Sequence, residues 1–431
     1  MLGRQDGQFN IIDSMIDRLI PKDDPIRAIR NYLDQVIRDD DYASMYPSGR
    51  GRPSFSPAMM VKAMLWQYAE ELSDRELETA IRYDLRLKFL LGLHLEERGP
   101  DASTLVVFRQ RLLENEKAKA AFDSVLGLAI RLSILKAGGT ALIDATEILS
   151  KGEVPSIIGL VQQGIRKVLL AWRDHDEAKA RAVANKLGLG RYLERRYNKS
   201  GESLLSWKGK RLFNKIIAQA EALLEALPPR EMQPDSLREA ADILEQIVFE
   251  RAEHDDPPPD RIATATDPEA RWGAKSRSKK FVGHKATTLE DAESELIIGI
   301  EVGKGNETDD RMLPEVVEEA AVTPSEVIGD GAYGTRKNRL AMRKKGIVLV
   351  APRKDRRRGR PVGRIANLGD RRIRARVERQ QAEMVRFHGL RRARYFGLAK
   401  VRLQAYFTAA AVNLKRIITL MARRDPVPVA A

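Results

Sequence analysis

Twice in this chain of 431 residues an apolar run of strand type carries an aspartate. The first run is Gly139-Thr140-Ala141-Leu142-Ile143-Asp144-Ala145-Thr146-Glu147-Ile148. The second is Glu326-Val327-Ile328-Gly329-Asp330-Gly331-Ala332-Tyr333-Gly334-Thr335, where a glycine-flanked turn follows the acid and the pattern predicts a helix over 336–344. Strand, acid, tight turn and helix in succession hold a carboxylate rigidly at the edge of a sheet. Strands disfavour aspartate, so two acids in such runs point to a shared task. Hard divalent cations such as Mg²⁺ take carboxylate oxygens, and sites of that kind handle phosphoryl chemistry with one or two ions.

The charge balance suggests what the acids act on. Lys and Arg number 75 against 61 Asp and Glu, a formal net charge of +14. That excess favours a polyanionic partner, nucleic acid before membrane. It is also local. From Arg336 to Arg402 basic residues far outnumber the acids, which are Asp355, Asp370, Glu378 and Glu383. Because this basic stretch is interleaved with apolar strand and helix patterns, it reads as a phosphate-binding surface. The chain has no cysteine, which excludes disulfides, thiol nucleophiles and cysteine zinc sites. No stretch has P-loop spacing, so no nucleotide cofactor is expected. The first twenty residues are too charged for a secretory signal, and no apolar run approaches the roughly 18 residues of a membrane span. The expected location is cytoplasmic and nucleoid-associated.

Read in order, residues 1–138 are helical. Asp24-Pro25 leads an amphipathic helix through Ile26, Ile29, Leu33 and Val36. Ser56-Pro57 starts another, and Ser73-Asp74-Arg75-Glu76 has capping-box spacing at the head of a third. Helix, short turn and capped helix are compatible with a helix-turn-helix, so this part reads as a DNA-binding or dimerisation domain. A further helix follows Pro100-Asp101-Ala102. After Gly138-Gly139 the period changes to that of a strand, and residues 139–425 read as an α/β domain. Residues 151–262 interrupt it with helices over 161–172, 177–187, 210–227 and 235–252, an insertion facing DNA or a partner, or simply a bundle. Strands resume over 280–289, 295–302 and 346–350, with helices at 309–321, about 370–387 and 398–423. Residues 426–431 form a flexible tail. The order implies a mixed sheet with helices on its faces, that is, an α/β fold with large α content and an RNase H-like sheet.

These residues carry a resemblance to bacterial insertion-sequence transposases of the DDE type, nearly along the full length. The markers are Ser73 to Leu77 through Gly99 to Leu105, then Asp144-Ala145-Thr146, Asp267-Pro268-Glu269-Ala270-Arg271-Trp272 leading to Gly283-His284-Lys285, Gly305-Asn306-Glu307-Thr308-Asp309, and Asp330-Gly331-Ala332-Tyr333. The family's third acid sits on a helix as Tyr-x2-Arg-x3-Glu-x6-Lys. Here Arg374-x3-Glu378 keeps the arginine and the glutamate, while Arg371 holds the tyrosine position and Val385 the lysine position.

The resemblance implies that Asp144, Asp330 and Glu378 are the catalytic and metal-binding acids, holding Mg²⁺ or Mn²⁺ and two ions in all. It implies cleavage at transposon ends and attack of the freed 3′-OH on target DNA. The partners implied are the terminal inverted repeats, target DNA and a second copy of the chain in synapsis. Arg374, Arg371, Lys285, Tyr333 and the loop residues Arg356, Arg357 and Arg358 are the expected DNA contacts. His284 has no obvious second ligand and Glu147 lies off the face of Asp144, so neither is assigned to the metal. Glu383, five residues past Glu378, faces elsewhere on its helix. The alternative reading is an inactive, transposase-derived DNA-binding protein or repressor.

Overall fold

The computed structural model describes residues 1–4, 11–46, 53–194, 206–252, 258, 260–275, 278–354, 361–362 and 379–424. Its N-terminal part is helical: α1 (Ile11–Leu19), α2 (Pro25–Val36), α3 (Pro57–Ala69), α4 (Asp74–Tyr83), α5 (Leu85–Leu91), α6 (Ala102–Glu114) and α7 (Ala120–Arg131). Side-chain caps set where these helices start. The Asp24 carboxylate accepts from Ile26 N at α2, Ser56 Oγ from Met59 N at α3, and the Asp101 carboxylate from Thr104 N at α6. Each fills a first-turn donor that has no partner within the helix. At α4 the capping box closes in both directions, Glu76 N donating to Ser73 Oγ and Ser73 N to the Glu76 carboxylate.

Two of these helices, α5 and α7, go beyond the sequence expectation. The two helices of the helix-turn-helix reading differ in burial. Helix α3 is buried from Pro57 to Leu65 and again at Gln67 and Tyr68, which makes it a core helix. The exposed positions of α4 carry both signs of charge, and Arg82 donates to Glu78 at 2.6 Å.

The sheet comprises β1 (Thr140–Leu149), β2 (Arg271–Ala274), β3 (Lys280–Asp291), β4 (Ile297–Lys304), β5 (Glu326–Ile328) and β6 (Val348–Val350). Strand β3 pairs antiparallel with β1 from Ala141–Asp291 to Leu149–Gly283, and β2 and β4 share its other edge, also antiparallel. On its far side β1 pairs in parallel with β5, and β5 in parallel with β6. Parallel neighbours need crossover connections, here supplied by helices α12 (Asp309–Glu318) and α13 (Arg336–Lys344). This is the RNase H-like mixed sheet expected from the element order.

Strand β2 was not among the expected strands. It is four residues long and contains Gly273, whose missing Cβ would stand 2.3 Å from the Gly305 carbonyl oxygen, so neither length nor composition signals it. A two-residue ladder, β7 (Arg353–Lys354) with β8 (Pro361–Val362), brackets the basic loop.

Between β1 and β2 the chain forms α8 (Ile157–Arg173), α9 (Glu177–Lys186), α10 (Trp207–Glu225) and α11 (Asp235–Ala252). Their buried apolar side chains, from Ile158 to Ala265, make a core of their own. The N-terminal helices, the sheet and the last helix α15 (Leu398–Arg424) share a second, continuous core. Helix α14 spans 379–387 and precedes α15. Asn413 on α15 completes the start of β4, accepting from Ile297 N and donating to Ile297 O, both at 2.8 Å.

Because the helical block has its own core, its stability can be perturbed separately. Leu244 is fully buried there and packs where Gly164 lets α8 and α11 approach. Leu244→Ala is expected to cost about 2–5 kcal/mol, read by hydrogen exchange as lost protection across 157–252 with sheet amides unchanged. Equal loss in β1 and β3 would show the two cores to be a single cooperative unit.

Candidate active site

The strands that lead to the two aspartates of the opening motifs are paired. In the parallel ladder Thr140 stands opposite Glu326, Ala141 opposite Val327 and Leu142 opposite Ile328. Asp144 and Asp330 each lie two residues beyond the last of these pairs. The chains are still adjacent there: a Cβ on Gly329 would stand 2.7 Å from Ile143 Cγ2 and 2.9 Å from the Tyr333 ring. Glycine is therefore required at 329 by close approach. Asp330 itself lies two residues past the end of β5, because pairing with β6 ends one residue beyond the strand, at the bond from Gly329 N to Val350 O (3.0 Å). The Asp330 carboxylate then accepts from Ala332 N at 2.8 Å and so fixes the turn.

Strand β1 outruns β5 and leaves a notch. On that edge its next backbone contact is at Leu149, which donates to Arg391 O and accepts from Ala393 N. Among the described residues no strand pairs with the edge between those contacts, and Asp144 sits there, half-buried. Its cross-strand partner is Thr288, whose hydroxyl lies 3.5 Å from Asp144 O and accepts from Gln381 Nε2 of α14 at 3.2 Å. Helix α14 thus lies against the strand pair that carries Asp144.

Tyr333 supports the site from below. It is 1% exposed, and its phenol is pushed far above its usual range by burial and then by the carboxylates of Asp309, Asp144 and Asp330. The Thr287 side chain beside the hydroxyl opposes that shift. What it offers is therefore the seat of Asp330 rather than a surface for DNA. Asn338 Nδ2 joins this turn to α12, donating to Tyr333 O at 3.1 Å and to Asp310 O at 2.9 Å. Lys285, also expected at DNA, donates instead to Asp309 Oδ1 and Glu307 O, each at 2.8 Å.

Behind the site, Glu295 holds Arg379 of α14 at 3.1 Å and Arg416 of α15 at 3.2 Å. Glu290 lies beside this group, buried, with neither carboxyl oxygen hydrogen-bonded. Burial, and then the Glu295 carboxylate, push its pKa up to about 8.

Other acids are engaged elsewhere. Glu147 pairs with Arg391 at 2.7 Å and Lys275 at 3.5 Å. Burial alone would raise its pKa, but those cations hold it below the ordinary value. Glu383 faces His388 at 3.6 Å and Lys415 at 3.5 Å.

His284 does have a partner, contrary to the sequence expectation. Buried Asp267 accepts from Ser150 Oγ at 2.7 Å and from Gly397 N at 3.1 Å, and lies 3.4 Å from His284 Nε2. Despite its burial these contacts hold the Asp267 carboxyl below its ordinary value. The pair was hidden because the two residues belong to different strands' approaches and share no local pattern.

Glu378, Arg374, Arg371, Arg356, Arg357 and Arg358 lie outside the described residues. Among the described residues no three His, Asp or Glu side chains are grouped to hold a metal by themselves. Sequence reading gave no site role to Thr288, Gln381, Asp309 or Glu295. Only Gln381 had a usable signal, since it follows Glu378 by three residues, a spacing that shares a helix face.

Comparison with known proteins adds two matches. The family model of a transposase domain matches residues 14–111, and that of a transposase DDE domain matches residues 252–414. No curated protein and no solved structure matches the chain.

Two substitutions test this geometry. Tyr333→Phe removes a buried hydroxyl that sits beside Thr287 and is expected to change stability by no more than about 1 kcal/mol. A larger loss in a denaturant titration would mean that the hydroxyl anchors the turn. Glu290 has a folded pKa raised from 4.5 to about 8, so its stabilising contribution is complete below 4.5 and is lost as pH rises through about 8. The melting temperature of Glu290→Gln, relative to wild type, should climb across that interval. A constant difference would show that the carboxyl is ionised throughout.

Proposed function

The chain belongs to the insertion-sequence DDE transposases, and from that premise we propose that it cuts phosphodiester bonds at transposon ends and joins the freed 3′-OH to target DNA, with Asp144, Asp330 and Glu378 as its catalytic carboxylates. What supports this reading is the parallel ladder of β1 and β5, Thr140–Leu142 beside Glu326–Ile328, with Asp144 and Asp330 each two residues beyond its last pair, and the influence of both carboxylates on the buried Tyr333 phenol.

Transposases of this family use divalent metal ions, and two aspartates side by side are the hard oxygen donors that Mg²⁺ or Mn²⁺ takes. When bound, a pair of such ions activates the attacking water or 3′-hydroxyl and stabilises the leaving oxygen. The residues that would hold them are Asp144, Asp330 and Glu378. Glu378 directly precedes α14 in sequence, and Gln381, three residues on, already reaches the strand partner of Asp144.

The chain's own contribution is rigidity. Asp144 rides on a strand paired through β3, and Asp330 is fixed by its turn and by Tyr333 beneath it. Buried Tyr333 and the Asn338 bonds anchor that turn to α12. Arg374, Arg371, Arg356, Arg357 and Arg358 are assigned to DNA phosphate. Lys285 joins them on release from Asp309. DNA is the substrate, and two copies of the chain pair the two ends in synapsis. The helical block 151–262 and the helices of 1–138 act as modules around the α/β domain of 139–425. Among the described residues no helix is long and apolar enough to cross a membrane.

The test is Mg²⁺-dependent cleavage of DNA carrying the element's own ends. Asp330→Asn and Glu378→Gln should each reduce cleavage by about a thousandfold or more, consistent with several kcal/mol of transition-state stabilisation, while end binding persists. EDTA should have the same effect on wild type. Glu383→Gln, whose carboxylate serves His388 and Lys415, should remain active. Cleavage that survives Asp330→Asn sinks the assignment. Binding without cleavage in wild type favours the inactive DNA-binding alternative.

A further inference from the structure

Helix α10 has two dissimilar faces. Gly209, Ile216, Ile217, Ala220 and Leu223 are buried in the core of the helical block. The opposite face begins with Trp207, which is 72% exposed, and continues through Lys208, Lys210, Arg211 and Lys215, all exposed. Trp207, Arg211 and Lys215 are spaced four apart and so line one stripe. The Arg211 guanidinium lies 5.6 Å from the centre of the Trp207 ring, a cation–π contact that covers one ring face and leaves the other open. Between Ser206 and Ala220 there is no acid, and the first on the helix is Glu221.

Several other surface cations of the block are paired. Arg173 pairs with Asp174 at 2.8 Å, Arg181 with Glu177 at 2.8 Å and Arg230 with Asp242 at 2.7 Å. Among the described residues no carboxylate pairs with Lys208, Lys210 or Lys215. An exposed indole set in a row of exposed cations has the chemistry of a single-strand platform, where cations follow the backbone and the ring takes a base.

We propose that this stripe of α10 is a DNA contact in which the cations meet phosphates and the open face of Trp207 stacks on an unpaired base. The proposal rests on the reading of DNA as substrate and adds to it a surface outside the carboxylate site. In intact duplex the bases are stacked on one another, so Trp207 acts only where a base is unpaired. The cations act on duplex and single strand alike.

The test uses the full chain carrying Asp330→Asn, so that binding is read without cleavage and failure here is separate from failure of the catalytic assignment. Fluorescence anisotropy would follow a labelled duplex, the same duplex with one unpaired base, and a single strand, at salt between about 50 and 200 mM. Trp207→Ala should weaken the single strand and the unpaired-base duplex by roughly 5- to 100-fold and leave the perfect duplex unchanged. Trp207→Phe should restore most of that loss. Changing Lys208, Lys210 and Lys215 together to Gln should weaken all three DNAs and flatten the slope of log K against log salt by roughly 2 to 3. Circular dichroism melts show whether each variant is folded. Equal loss on all DNAs with Trp207→Ala overturns the stacking role. An unchanged salt slope in the lysine variant overturns the phosphate role. Competition by polyglutamate as effective as that by single-stranded DNA would assign the stripe to an acidic protein instead.

Discussion

The parallel pairing of β1 with β5 is the constraint on which the candidate site depends. Its three residue pairs at 140–142 and 326–328 join segments that enclose the whole helical block in sequence. A slip of one residue would turn Asp330 to the other face, because side chains alternate along a strand. The register is defended on both sides. Strand β3 holds β1 by a long antiparallel ladder, and β6 holds β5. Gly329 admits the approach that a side chain would block.

Around that pairing the fold uses its charged residues in two ways. At the notch Asp144 and Asp330 are left half-exposed at an open edge. Elsewhere acids are spent on tying distant segments together. Glu295 links α14 to α15, Glu147 links β1 to the chain at Arg391, and Asp267 joins the end of β1, His284 and the backbone before α15. Burial makes such contacts stringent, since a partly desolvated carboxylate left without its partner is costly. The same helices thus anchor the frame and bring Gln381 to the strand pair of Asp144. The helical block sits outside this economy, with a core of its own and a cationic, aromatic face on α10.

Much of the frame was legible beforehand. Caps at Ser56, Ser73 and Asp101, the helix of 336–344 and the strands carrying Asp144 and following Lys280 all stand where the sequence puts them. These signals are local: a cap acts within three residues, and a strand or helix declares its period within a dozen. Short elements escaped for the same reason, as with four-residue β2.

By itself, then, the sequence determined the kinds of elements, their order, and the two aspartates that ride on strand-type runs. Only the tertiary structure decided which acids face each other and which are consumed as struts. It paired the strands that lead to Asp144 and Asp330, gave Glu383 to His388 and Lys415, paired His284 with Asp267, tied Lys285 to Asp309, and buried most of α3. Those outcomes depend on contacts between segments remote in sequence, where the free energy comes from excluding water and matching charges across packed faces. Local periodicity carries no record of which faces will meet.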